Sequence, residues 1–395
     1  MDRRSFMGGM AAVLAAGLSG CQGKGPEALK IRLLKGSIPA PLPNAFLKQA
    51  AQGISLDVAP AEQIADLFTL LQGLARLVDP KAKAPTGNFL SQLQFWKSPQ
   101  QRNGQVIPPD LVTLGDAWLA VAIRQGLLQP LEVGAPLENL EERFRQLVRR
   151  DDKGAPTGQG AIWGAPYRWG GTAIAYRKDI LREKGIAPPK DWEDLWRSEF
   201  RLRLSLLDQP REVIGLVLKS LGQSYNPTAL DQPELKTKLE QLHRQVSFYS
   251  NDNYLQPLVL GDTWIAVGSS LDLLRQARTM EAIEVVFPTS GTALWADLWV
   301  RPKSAVAAKS ALVNQWVAFC WSEAVVGQLS SITQAASPML RQMKATALTQ
   351  DLRENPVLYP SDRAWEKSEF LQPLSESVMG QFSSLWETLR PPVSR

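Results

Sequence analysis

The most chemically pointed stretch of this chain is a carboxylate set between two indoles, Leu294-Trp295-Ala296-Asp297-Leu298-Trp299-Val300. Its alternation predicts a strand. Trp295, Asp297 and Trp299 then share one face, and Leu294, Ala296, Leu298 and Val300 face an apolar layer. An acid between aromatic rings suits an organic cation, with the charge on the carboxylate and the methylenes on the rings. Such a contact is worth roughly 0.5–1 kcal/mol when exposed and about 2 or more when desolvated. The plainer alternative is tryptophan packing beside a half-exposed Asp at a domain edge.

A second stretch is Ser205-Leu206-Leu207-Asp208-Gln209-Pro210-Arg211-Glu212-Val213. An apolar strand ends at Leu207 and a helix starts near Pro210. The carboxyl edge of a strand, at a helix start, is where open α/β sheets bind ligands. Asp208 and Glu212 are four apart and share a face if the first turn includes both. Capping is the competing role, because carboxylates favour a helix N-terminus.

Conventional catalysis is poorly supplied. His243, the only histidine, sits on a solvated helix pattern. There is no His-Glu-x-x-His, Gly-x-Ser-x-Gly or phosphate-binding Walker loop. Gly158-Gln159-Gly160 is a lone Gly-x-Gly in a turn. With two cysteines, Cys21 and Cys320, no disulfide framework or Cys-based metal site can be built. Cys320 lies in an apolar helical run and is expected to be a buried thiol. No enzyme activity, cofactor or metal site is expected.

Strands alternate with helices along the chain. Strands are predicted at 29–34, 54–59, 110–114, 161–176, 264–269, 283–287 and 294–300. Helices are predicted at 43–52, 61–78, 117–125 with Asp116 as N-cap, 140–150, 210–221, 233–246, 304–329 and 375–389. That pattern means an α/β architecture of largely parallel sheets flanked by helices. The region from Asp79 to Pro109, rich in Lys, Pro, Gln and Asn, is a long surface insertion. The chain leaves a first unit near 130–136 and returns near 294–300. The result is two lobes on a two-strand hinge, with a ligand cleft between them. Lobe 1 is expected to hold 29–134 and 297–340, and lobe 2 to hold 135–296 and 341–395.

With 44% hydrophobic and 21% charged residues, the composition is that of a folded chain. Its basic residues are interspersed with acids, as at Arg143, Arg145, Arg149 and Arg150 beside Glu138, Glu141 and Glu142. No nucleic-acid partner is expected.

Several motifs, in one order, resemble the spermidine/putrescine-binding proteins of bacterial ABC importers. They are Asp110-Leu111-Val112, Ala165 to Thr172, Asp194-Leu195-Trp196, Ser205 to Val213, Gly222 to Asn226, and Val285 to Pro288 through Trp295-Ala296-Asp297. The resemblance implies the type II periplasmic binding fold and capture of a ligand for a permease, with no reaction. It also implies that Asp297 binds an amine, that Trp295 packs on the carbon chain, and that Glu212 holds a second amine. Gln372 matches a polar ligand near the C-terminus. The family's further binding Asp falls on the neutral Gln209. Its other aromatic positions fall on Gly36 or Pro39, Ala117, Ser269 and Ala335, with Trp118, Trp264 and Tyr167 as neighbouring candidates to fill that space. A lost charge-assisted hydrogen bond removes roughly 1.5–3 kcal/mol, or one to two orders of magnitude in affinity.

The first residues, MDRRSFMGGMAAVLAAGLSGC, have a charged start, a short apolar run and small residues before Cys21. They resemble an export signal over residues 1–20, of twin-arginine type and with a lipobox, followed by a linker to residue 28. Cleavage would leave 375 residues, with lipidated Cys21 as a membrane-surface anchor. The expectation is an exported, monomeric lipoprotein that carries putrescine or a related polyamine to permease subunits. The alternatives are the same fold binding another small cation or metabolite, or a non-transport protein with a degenerate cleft.

Overall fold

A computed structural model describes residues 27–79 and 107–390. The leader with Cys21, and most of the expected 79–109 insertion, lie outside the described residues.

One sheet of eleven strands runs through the molecule, and its direction of pairing explains the two lobes. In the first half, β1 (Glu27–Leu34) lies parallel to both β2 (Ile54–Ala61) and β3 (Leu111–Gly115). In the second half, β5 (Leu204–Leu206) lies parallel to β6 (Val246–Tyr249) and β7 (Ile265–Ser269). Two long strands cross between the halves, β4 (Ala165–Arg177) and β9 (Ala293–Pro302). They pair antiparallel with each other. β9 also pairs antiparallel with β3, while β4 does so with β7 and with β8 (Ile283–Val286). Each lobe's own strands are therefore parallel, and the antiparallel contacts of the main sheet belong to the crossing pair.

Helices cover the sheet where their apolar stripes demand burial. Helix α1 (Pro41–Gln49) buries Leu42 and Phe46. Helix α2 (Ile64–Val78) opens with a Gln63–Asp66 capping box and buries every residue from Leu67 to Ala75. Helix α3 (Asp116–Arg124) follows β3 directly. Beyond the crossing strands come α4 (Pro210–Ser220), α5 (Pro233–Gln245) and α6 (Ser270–Thr279).

The expected helix 304–329 is broken. Helix α7 (Ser310–Cys320) and α8 (Glu323–Thr333) are separate, with Ser322 between them in extended backbone. Trp321 at the break donates its indole N–H to the Pro166 carbonyl at 2.6 Å, tying the turn to β4. The long-range hydrogen bond is invisible to helical periodicity. Helix α9 (Glu376–Leu389) closes the chain, capped by the Ser375 side chain. None of the helices among the described residues is long and apolar enough to cross a membrane.

The main core spreads over β1–β3, the first half of β4, the second half of β9, and α7 and α8. It includes Leu140, Phe144 and Leu147, and also Leu352, Trp365 and Phe370. Segments that the expected boundaries at 134 and 340 allot to the other lobe thus pack on the first core. The second core gathers Ile214, Leu218, Leu239 and Ile265, with Val378 and Phe382 of α9 docked on it. Cys320 is buried in the first core as a free thiol.

Candidate ligand-binding site

β3, β5 and β7 end at the junction between lobes, where α3, α4 and α6 begin. The carboxyl ends of parallel strands are the ligand side of such sheets. One face of the crossing strands carries the candidate groups in order. Residues 168, 170 and 172 of β4 lie two apart and share a face.

Arg168 pairs with Asp297 of β9, and its Nε and Nη2 both lie 2.6 Å from Oδ2. Gly170 pairs with Trp295. A Cβ on Gly170 would lie 2.5 Å from the indole and 2.6 Å from Ser270 Oγ, so only glycine lets these groups approach. Ser270 Oγ accepts the Gly171 N–H at 3.1 Å. Thr172 donates its hydroxyl to Glu212 at 2.7 Å. Asp297 and Trp295 of β9 thus share one face of the crossing strands with Thr172, which holds Glu212 of α4, and residues 168 to 172 span about 13 Å at a rise of about 3.3 Å per residue.

Burial raises the Glu212 carboxyl above its ordinary range, partly offset by the Thr172 hydrogen bond and by Arg211. Asp297 is not a bare acceptor. It is 6% exposed and already paired with Arg168, which is 1% exposed. The picture of two free acids facing a guest is corrected here, because a cross-strand arginine neutralises one of them.

Sequence reasoning gave Asp116 only a capping role. Its carboxylate accepts hydrogen bonds from the backbone N–H groups of Ala296 and Ala117. Burial, with the nearby Asp297 charge, pushes it up to about 7 against the pull of those bonds and of Arg150. The only sequence signal was its place at the end of a strand. Arg150 and Arg211, which line the cavity described next, were not singled out in the sequence either.

A cavity of about 860 Å³ opens between α3 of the first lobe and α9 of the second, and Glu212, Trp295 and Asp297 are not among the residues that line it. Ala117, Ala120 and Val121 form one wall, and Leu374, Met379 and Phe382 the other. Asp116, Arg150, Arg211 and Gln372 line it as well. Gln372 touches both lobes: Arg150 donates to its side-chain oxygen at 3.4 Å, and Arg211 to its backbone carbonyl at 3.2 Å.

The other expected residues are scattered. Asp208 turns away from Glu212 and pairs with Arg390 after α9. Gln209 is exposed at the α4 N-terminus. Trp118 packs on Phe68 of α2, with ring centres 4.6 Å apart. Tyr167 is fully buried, stacked on Trp299 at 4.2 Å and hydrogen-bonded to Thr113. Trp299 thus belongs to the first core rather than to the cleft. Trp264 precedes β7, at the end of that strand away from the junction, between Arg203 and Lys184. Among the described residues, no group of three or more His, Cys, Asp or Glu is placed to hold a metal.

The fold is shared with solved binding proteins. It superposes on the spermidine/putrescine ABC transporter substrate-binding protein of Streptococcus pneumoniae, with a TM-score of 0.72 and 20% identity, over 92% of this chain and 98% of that one. A maltose-binding periplasmic protein of Listeria monocytogenes gives a TM-score of 0.61 at 13% identity, over 92% and 91% of the two chains. Both have the two-lobed type II periplasmic binding fold.

In sequence, the chain is 29% identical over 283 residues to the spermidine/putrescine-binding periplasmic protein of Escherichia coli, covering 70% of this chain and 75% of the relative. It is 23% identical over 280 residues to the putrescine/cadaverine-binding protein of Pseudomonas aeruginosa, covering 68% and 76%. Residues 107–368 match the family described as bacterial extracellular solute-binding protein. That match takes in the crossing strands, Glu212 and Asp297, and extends over well more than half of the sequence. The chain belongs to the bacterial extracellular solute-binding proteins.

Proposed function

We propose that this chain is the solute-capturing component of an ABC importer, that its solute is an amine of the polyamine class, and that it delivers this solute to permease subunits. The observation that carries the reading is that Trp295 and Asp297 share a face of the crossing strands with Thr172, which donates to Glu212 at the start of α4. The sequence relatives named for spermidine and putrescine support the amine class. Glu212 would take an ammonium and Trp295 the methylenes, while Asp297, paired with Arg168, would hold the crossing strands that present Trp295. Lobe closure follows from tighter binding of the guest to the closed state.

We further propose that residues 1–20 direct export, that lipidated Cys21 holds the chain at a membrane surface, and that it works as a monomer. Release of a Cys21→Ser variant from the membrane fraction into the soluble fraction tests the anchor.

Thermal denaturation of the purified chain against putrescine, spermidine, amino acids and metal salts tests the solute class. A ligand at a hundred times its Kd adds about 2.7 kcal/mol of stability. A rise in midpoint with an amine at millimolar concentration, reduced in Glu212→Gln, is the expected result. An unchanged midpoint with every amine overturns the reading.

A further inference from the structure

The chain passes between the lobes a third time. Trp365 and Phe370 are buried in the first core, while Leu371 and Leu374 pack on the second, just ahead of α9. At the change, Glu369–Phe370 forms a two-residue strand parallel to β9. Leu294 of β9 pairs with Phe370 on one side and with Gly171 of β4 on the other. The three passages therefore lie side by side in the sheet.

The second lobe grips this third passage by its polar groups. The stretch Gly222 to Asn226 follows the end of α4, and Asn226 treats the passage as a neighbouring strand would. Its Nδ2 donates to the Phe370 carbonyl at 3.0 Å, and its Oδ1 accepts the Gln372 N–H at 2.8 Å. Arg211 fixes that amide, donating to the same Oδ1 at 2.7 Å and to the Gln372 carbonyl at 3.2 Å. Glu369 is held as well, paired with Lys219 of α4 and bonded by the Ser224 hydroxyl. Arg211 directly precedes Glu212 in the first turn of α4. The helix that presents Glu212 and residues 369–372 are thus fastened into one body.

That body touches the first lobe through the Gln372 side chain. Its oxygen accepts a hydrogen bond at 3.4 Å from Arg150, which follows Leu147 and Val148 of the first core. A bond made only while the lobes are together stabilises the closed state. It raises the apparent affinity for any guest that needs closure.

We infer that Asn226 and Arg211 are positioning residues: they clamp the third passage to the helix that carries Glu212, so that closure on an amine seats Gln372 against Arg150. This rests on the amine reading and adds to it the part of the chain that moves with the captured amine. A clamp sets the fraction of closed chain, so its loss weakens every amine by one common factor. Loss of a contact to the guest weakens amines of different length and charge by different factors.

Isothermal titration of the chain with putrescine, cadaverine and spermidine tests this in wild type, Asn226→Ala and Gln372→Ala. The expected result is that Asn226→Ala weakens all three at least about five-fold, with losses that agree within about three-fold, and that Gln372→Ala does the same. A smaller loss, or losses that differ more among the three amines, overturns the clamp and leaves the amine reading standing. Where Asn226→Ala does not fold, Gln372→Ala decides by the same two criteria, because it keeps the backbone bonds of the clamp. Binding of none of the three by wild type overturns the amine reading, and the clamp's part in capture with it.

Discussion

Arg168 and Asp297 face each other across the two strands that join the lobes, with two guanidinium nitrogens on one carboxylate oxygen. Both side chains are nearly sealed from solvent. Removing one partner leaves the other charge buried and unpaired, which costs about 3–5 kcal/mol. Asp297→Asn should therefore lower the urea midpoint sharply, and a double Arg168→Met, Asp297→Leu variant should recover most of the loss. A single variant with wild-type stability contradicts the pair's structural role.

Gly170 leaves the space that the Trp295 indole occupies against β4. The Cβ of Gly170→Ala would meet both the indole and Ser270 Oγ inside contact distance. Overpacking of this kind costs about 1–3 kcal/mol. The expected result is a displaced Trp295, with amine affinity reduced at least about ten-fold, as one lost hydrogen-bonded or ring contact of about 1.4 kcal/mol implies. Titration calorimetry on the folded variant checks it, and unchanged affinity removes Trp295 from the site.

Asp116 gives a pH dependence with a definite sign. Its folded-state value of about 7 lies above the ordinary 3.8. Between pH 4 and pH 7 the folded chain holds a proton that the unfolded chain has released, so stability falls as pH rises through that window. Asp116→Asn lacks this liability. Its melting temperature relative to wild type should climb between pH 5 and pH 8, by about 1–2 °C for each kcal/mol involved. A difference that is constant with pH refutes the assignment.

Asp208 and Trp264 should be dispensable for capture. Asp208 is tied to Arg390 in a half-exposed pair, an interaction of about 0–1 kcal/mol. Trp264 lies at the far end of its strand from the junction, beside Arg203 and Lys184. Amine affinity in Asp208→Asn and Trp264→Leu is expected to stay within about two-fold of wild type by titration, less than 0.5 kcal/mol. A ten-fold loss in either would place that residue in the site.

The sequence by itself determined the alternation of strands and helices and the return of the chain that makes two lobes. Those features are local: strand period, capping residues and apolar stripes are written in neighbouring positions. The broken helix at Trp321 was not legible, because a hydrogen bond to Pro166 across the fold sets the break. Nor was the partner of Asp297, since Arg168 is 129 residues away and is set opposite it only by β-sheet register. The same holds for the meeting of Arg150 and Arg211 at Gln372 and for the elevation of Asp116. Charge in a cleft is a sum over segments that only tertiary packing brings within Coulomb range.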